Sequence, residues 1–287
     1  MSAPQEITKI DKLGIIAGGG HLPAYLLNVC KNKGIKVYFA ALNKQCDEIP
    51  IKNHPKDQTF WADLGGVGKI IDFFKQNNVT NLVMIGHVKR PTLSQLKPDF
   101  KAIQILSRIG FKSLGDSGLL SALKEELEKE GFTMRAIQDF CDKLLMPRGV
   151  LGDYESSPED QATIELGIRK SQEIGEQDIG QSVIVQDGQV IGIEDAQGTD
   201  ALIKRCSSLL KSNARGGILV KTCKPQQDTA LDLPTIGVDT IQNAHNAGLK
   251  GIVLQANYTL LVDPKSIAEY ANKYRIFVIG IDITSFS

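Results

Sequence analysis

Cysteine is scarce in this 287-residue chain and histidine scarcer still, with five of the first and four of the second. Cys30, Cys46, Cys141, Cys206 and Cys223 are odd in number and make no C-x-x-C pair. That excludes a disulfide framework and a zinc knuckle and suits a reducing cytoplasm. His21, His54, His87 and His245 lack the neighbours that two-metal phosphoesterases need. Charge of one sign is also missing: 33 basic side chains balance 33 acidic ones and no basic run stands out, so nucleic acid is not an expected partner. No stretch approaches ~20 consecutive apolar residues, and nothing is expected to span a membrane. Met1 to Leu13 holds Glu6, Lys9, Asp11 and Lys12 where a signal peptide has its apolar region.

What remains is ordinary globular composition, 42% apolar and 23% charged, in a chain longer than one compact domain usually needs. In the first half, short apolar runs (Leu13 to Ala17, Lys36 to Ala40, Asn81 to Ile85, Phe132 to Ile137) alternate with helical patterns at Pro23 to Lys31, Gly65 to Gln76, Pro98 to Ile109 and Ser117 to Glu130. This predicts a parallel sheet covered by helices, a Rossmann-like α/β layout. Glycine, serine and proline interrupt the pattern between Pro147 and Pro158. The expected division is therefore an N-terminal Rossmann-like domain over 1–147, a linker over 148–158 and a C-terminal catalytic domain over 159–287, with a cleft between the two domains. In the second half Asp187-Gly188 predicts a hairpin turn inside Ser182 to Glu194, and Glu159 to Ile174, Thr199 to Leu210, Thr240 to Ala247 and Pro264 to Tyr274 read as helices. Gly217 to Lys221, Gly251 to Gln255 and Ile276 to Gly280 read as strands, giving a second α/β domain.

Gly18-Gly19-Gly20-His21-Leu22-Pro23 joins a predicted strand to a predicted helix, a context in which bare amides hold phosphate, although a tight turn without ligand has the same composition. A dinucleotide fingerprint wants a third glycine where Pro23 stands and an acid after the second strand, where the chain reads Ala40, Ala41, Leu42 and Asn43. Gly86-His87-Val88-Lys89-Arg90-Pro91 follows another buried strand, and Gly115-Asp116 precedes a helix; both suit substrate contacts and both suit plain loops. Lys124 to Gly131 mimics the end of a Nudix box but has Lys129 where a metal-binding glutamate is needed. The densest polar cluster is Lys221, Lys224, Gln227, Asp228 and Asp232, followed by Leu233-Pro234-Thr235-Ile236-Gly237. Breaking a pyrophosphate takes cations to hold phosphoryl oxygens and a carboxylate to bind metal or orient water. The cluster offers both, as a solvated charged loop would too. Glu194, Thr199 and Asp200 make a second polar group, equally readable as a helix cap.

In their order along the chain these segments resemble the bacterial UDP-2,3-diacylglucosamine pyrophosphatases that are distinct from the metallophosphoesterase type. The resemblance rests on Gly14 to Gly20 with Leu22-Pro23, Gly86-His87-Val88 with Arg90-Pro91, Gly115-Asp116, and Glu194 with Gly198-Thr199-Asp200-Ala201. It continues through Gly216-Gly217 with Leu219-Val220-Lys221, then Lys224-Pro225, Gln227-Asp228, Asp232 to Gly237 and Ala247-Gly248-Leu249. It implies magnesium-dependent attack of water on a phosphorus, converting UDP-2,3-diacylglucosamine to UMP and 2,3-diacylglucosamine 1-phosphate (lipid X) in lipid A biosynthesis, with the lipid held between the two domains. The expected catalytic residues are Asp228, Lys221 and Gln227, with Asp228 and Asp232 as metal ligands. Gly18, Gly19, Gly20, His87, Arg90, Asp116, Thr199, Asp200, Lys224 and Thr235 are the expected substrate contacts. Ser117, Ala230, Gln255 and Asn257 depart from the family's usual aspartate, arginine, glutamate and glycine. A diacyl substrate implies a cytoplasmic protein with peripheral contact with the inner membrane; a homodimer stays open. The rival readings are a non-catalytic binder of nucleotide sugar or lipid phosphate and a nucleotide-dependent oxidoreductase.

Overall fold

After Lys12, every residue of the first strand, β1 (Lys12–Ala17), is buried, as a strand covered by helices on both faces must be. The structure, a computed structural model, describes residues 10–48, 51–88, 98–109, 116–211 and 216–285. From β1 the chain runs through α1 (Leu22–Asn32), β2 (Lys36–Leu42), β3 (Thr59–Ala62), α2 (Val67–Gln76), β4 (Asn81–Ile85), α3 (Phe100–Ile109), α4 (Asp116–Lys129) and β5 (Thr133–Met134). Its sheet has the order β3-β2-β1-β4-β5 with every pair parallel. That is the Rossmann order, and its direction of winding reverses between β1 and β4. Ile70, Ile71 and Phe74 of α2 pack with Tyr38, Leu82, Leu127 and Phe132 in the core. The edge strand β3 was not expected from the sequence because only Ala62 in it is buried. The expected strand over 132–137 shortens to β5, since the chain enters a tight helical turn at Ile137–Asp139.

The second unit contains β6 (Gly149–Val150), α5 (Gln161–Glu176), β7 (Ser182–Gln186), β8 (Gln189–Ile193), α6 (Thr199–Cys206), β9 (Ile218–Lys221), β10 (Thr235–Ile236), α7 (Val238–Asn246), β11 (Gly251–Gln255), β12 (Leu260–Leu261), α8 (Pro264–Tyr274) and β13 (Phe277–Ile281). Its six-stranded mixed sheet runs β6-β13-β11-β9-β7-β8, with β13, β11 and β9 parallel and the other three antiparallel to their neighbours. The expected hairpin is present, and Asp187 and Gly188 both take positive φ (49° and 71°), the turn geometry that matches strand twist. The segment 148–158, expected as a linker, differs: Gly149 and Val150 pair with β13 as an edge strand of this sheet.

The chain divides into compact units of residues up to Asp142 together with Ala230–Asp232, and of Lys143–Thr229 with Leu233–Ser287. Among the described residues no helix is long and apolar enough to cross a membrane.

Candidate functional site

In the first unit, the glycine turn after β1 and the loop after β4 lie side by side where the sheet order reverses. Gly18 N donates to Ile85 O at 2.8 Å, Gly19 N to His87 O at 2.8 Å, and His87 N to Gly19 O at 3.1 Å. Gly20 N donates to Asp47 Oδ2 at 3.1 Å. A Cβ on Gly18 would stand 2.5 Å from His87 O, and one on Gly86, whose φ is +96°, would stand 2.7 Å from Gly19 O. The glycines are therefore explained by two backbones in contact. In the expected phosphate cradle at Gly18, Gly19 and Gly20 all three amides have protein acceptors, and a carboxylate occupies the last of them. His87 is exposed at this edge. Lys89, Arg90 and Gly115 lie outside the described residues; Asp116 opens α4, but its side chain is outside them too.

In the second unit the parallel strands β9, β11 and β13 end together at one edge of the sheet, and β9 ends on Lys221. Only 5% of this lysine is exposed. Its ammonium donates to Thr199 Oγ1 at 2.6 Å, and among the described residues that hydroxyl is its one hydrogen-bond partner. Thr199 in turn donates to Glu194 Oε1 at 2.8 Å, Gln181 N donates to Glu194 Oε2 at 2.9 Å, and Ser182 Oγ lies 3.2 Å from Thr199 Oγ1. Glu194 is 6% exposed. Burial pushes its carboxyl up, but the Lys221 ammonium, the Gln181 amide and the two hydroxyls outweigh burial and hold it below the ordinary carboxylate value. A buried carboxylate and a buried ammonium thus face each other through one hydroxyl. The arrangement leaves N–H donors of the Lys221 side chain for an anion. Thr199, expected as a substrate contact, is engaged within the protein: a hydroxyl has one proton and two lone pairs, and all three have candidates here.

Much of the neighbouring polar cluster is structural. Gln227, expected as a catalytic amide, caps the turn it sits in, its side-chain oxygen accepting from Cys223 Sγ at 3.3 Å and Lys224 N at 3.2 Å. The ammonium of Lys224, expected as a substrate contact, pairs with Asp178 at 2.5 Å. Asp200 accepts from the Asn243 amide at 3.1 Å, and Thr235 donates to Leu233 O at 3.0 Å. Asp228 is half-buried in the loop after β9, whereas Asp232 is exposed and belongs with the first unit. Among the described residues no three His, Cys, Asp or Glu side chains assemble as a metal cage.

Beneath the end of β9, sequence reasoning missed a set of buried polar groups. Ser171 Oγ and Thr222 Oγ1 lie 2.7 Å apart, Gln172 donates to Thr222 Oγ1 at 2.7 Å, and Gln255 Oε1 accepts from Cys223 N at 2.8 Å. One signal was readable: Ser171 interrupts the otherwise apolar stripe of Ile164, Ile168 and Ile174 on α5.

Two family models match the chain, one described as the LpxI N-terminal domain over residues 12–144 and one as the LpxI C-terminal domain over residues 147–279. A relative named UDP-2,3-diacylglucosamine pyrophosphatase LpxI, from Caulobacter vibrioides, is 36% identical over 277 residues, covering 94% of this chain and 98% of the relative.

Proposed function

We infer that this chain, which belongs to the LpxI family, is a UDP-2,3-diacylglucosamine pyrophosphatase acting in lipid A biosynthesis. The observation that carries the reading is the match of both halves, in order, to the two domain models of the family, backed by a relative of that name aligned along nearly its whole length. Water adds to one phosphorus, the bond from that phosphorus to the bridging oxygen breaks, and UMP leaves from 2,3-diacylglucosamine 1-phosphate. The buried ammonium of Lys221 suits a phosphoryl oxygen, whose negative charge it offsets in a site of low polarisability. Asp228, on the same loop and half-buried, is the carboxylate we assign to the attacking water or to a metal ion.

Magnesium is part of this proposal. It commonly binds through one or two carboxylates, substrate phosphates and several waters rather than a full protein cage. Asp228 fits that use. When bound, magnesium supplies charge neutralisation at the phosphoryl oxygens. A diacyl substrate resides in a bilayer, so we further propose that the cytoplasmic protein collects it as a peripheral visitor to the inner membrane.

The test is direct: purified protein, UDP-2,3-diacylglucosamine and magnesium should yield UMP and the sugar phosphate in equal amounts. Retention of intact substrate with no UMP would instead identify a binding protein. A nicotinamide absorbance change would revive the oxidoreductase, which the engaged glycine amides do not favour.

A further inference from the structure

The carboxylate and ammonium at the end of β9 do not touch each other, and the hydroxyl between them has a direction. Lysine can only donate and an ionised glutamate can only accept. The single proton of Thr199 therefore goes to Glu194 Oε1, at 2.8 Å, and its oxygen turns a lone pair to the Lys221 ammonium, at 2.6 Å. Ser182 Oγ, 3.2 Å away, faces the lone pair that is left. The other carboxylate oxygen is fixed by the Gln181 amide. Three separate elements meet here: the end of β8, the first residue of α6 and the last residue of β9.

We propose that Glu194, acting through the Thr199 hydroxyl, is the positioning residue that fixes the Lys221 ammonium for the phosphoryl group. This rests on the reading of Lys221 as a phosphate-holding group. A direct Glu–Lys contact would set the ammonium against a full negative charge that competes with the phosphoryl group. The interposed hydroxyl, polarised by the carboxylate, anchors one N–H while the remaining donors and the full positive charge stay available. A buried cation held this way needs no reorganisation as charge develops on the phosphoryl oxygens, which is where such groups contribute most to rate. Glu194 touches no substrate in this scheme. Its loss should lower turnover by letting Lys221 move, with little change in substrate affinity, which comes mainly from the uridine and acyl chains.

The experiment measures kcat and KM for UMP release by the full chain, with thermal melting alongside. Glu194→Gln and Thr199→Val should each lower kcat by roughly 30-fold or more while KM moves less than about threefold. Thr199→Ser, which restores the hydroxyl, should recover at least about a third of the wild-type kcat. In a Lys221→Met background, adding Glu194→Gln should cost less than about twofold, because the group it positions is already gone. Losses that multiply in the double variant, or a Thr199→Val enzyme as fast as Thr199→Ser, would overturn the proposal. If Glu194→Gln does not fold, the valine and serine variants decide alone. Wild-type protein that releases no UMP overturns the activity itself, an outcome distinct from an active enzyme indifferent to these changes.

Discussion

The glycine turn of the first unit and the end of β9 in the second both stand at the carboxyl ends of parallel strands, where open α/β sheets bind ligands. They meet that position differently. At the turn, Gly18, Gly19 and Gly20 all donate to acceptors within the protein, and the close backbone approach accounts for the glycines. At β9, a buried ammonium has a single neutral partner among the described residues and a carboxylate one hydroxyl away. Glycine thus reports how close two backbones come, whereas the incompletely partnered buried charge is where our proposal places the phosphoryl group. The same contrast orders the mutations that test it.

The largest effect should come from the second unit. Asp228→Ala should cut kcat by at least ~100-fold with the protein folded and the lipid still bound, in line with losing a group that holds metal or orients water. Lys221→Met belongs in the same range. Turnover, substrate retention and melting of both variants check this; near-normal turnover in Asp228→Ala would move the chemistry elsewhere.

Next in size is a change of stability alone, in the first unit. Gly86→Ala places a methyl 2.7 Å from Gly19 O at a backbone angle unsuited to an L side chain, and should cost about 2 kcal/mol. The folded fraction should keep its kcat, because these glycines hold two loops together. A stable Gly86→Ala enzyme with lost turnover would return the turn to the active site.

Much of the fold could be read from the sequence because the apolar runs are long and bounded. Helix α8 begins at Pro264, as expected, with Asp263 accepting from Ser266 N at its start. The misses were short strands whose few residues carry no alternation to read: β3, with one buried residue, β6, whose two residues are both exposed, and the two-residue strands β10 and β12. For the site, the residue types in the Lys221 segment were legible but not their pairings. Lys221 and Lys224 are three positions apart and look equivalent, yet one meets Thr199 and the other Asp178. Those partners come from α6 and from the end of α5, and no local pattern announces them. The hydroxyl at 199, expected as a substrate contact and equally readable as a cap, has partners at 194 and 221 that no local pattern announces either.

Acid should separate the units further. In the first, hydrogen bonds from Lys101 and then Lys75 pull the Glu130 carboxyl down to about 2, and Arg108 and Lys101 hold Glu126 below its ordinary value despite burial. A depressed carboxylate contributes stability that is complete above its unfolded value, 4.5 for glutamate, and is lost as pH falls towards the folded one. Glu130→Gln should therefore flatten the fall of melting temperature below pH 4.5 and cost no more than about 1 kcal/mol at neutral pH. Turnover should not follow. An unchanged acid limb would show that other carboxylates govern it.

The smallest effect, and the finest test of the contrast, is Lys224→Ala. Lysine three positions after Lys221 carries the same charge on the same loop, so a site that gathers cations by composition would need both. The structure separates them by partner and exposure. Lys221 is buried and linked to Glu194 only through a neutral hydroxyl, while Lys224 pairs directly with Asp178, whose side chain is 38% exposed. An ion pair open to water is worth little, so removing Lys224 should lower stability by less than about 1 kcal/mol. Its charge is already paired with a carboxylate, so kcat should stay within about threefold of wild type, against the much larger loss from Lys221→Met. Parallel assays of the two lysine variants decide it: a loss from Lys224→Ala approaching that from Lys221→Met would mean that this ammonium leaves Asp178 for the substrate, and that both cations serve the pyrophosphate.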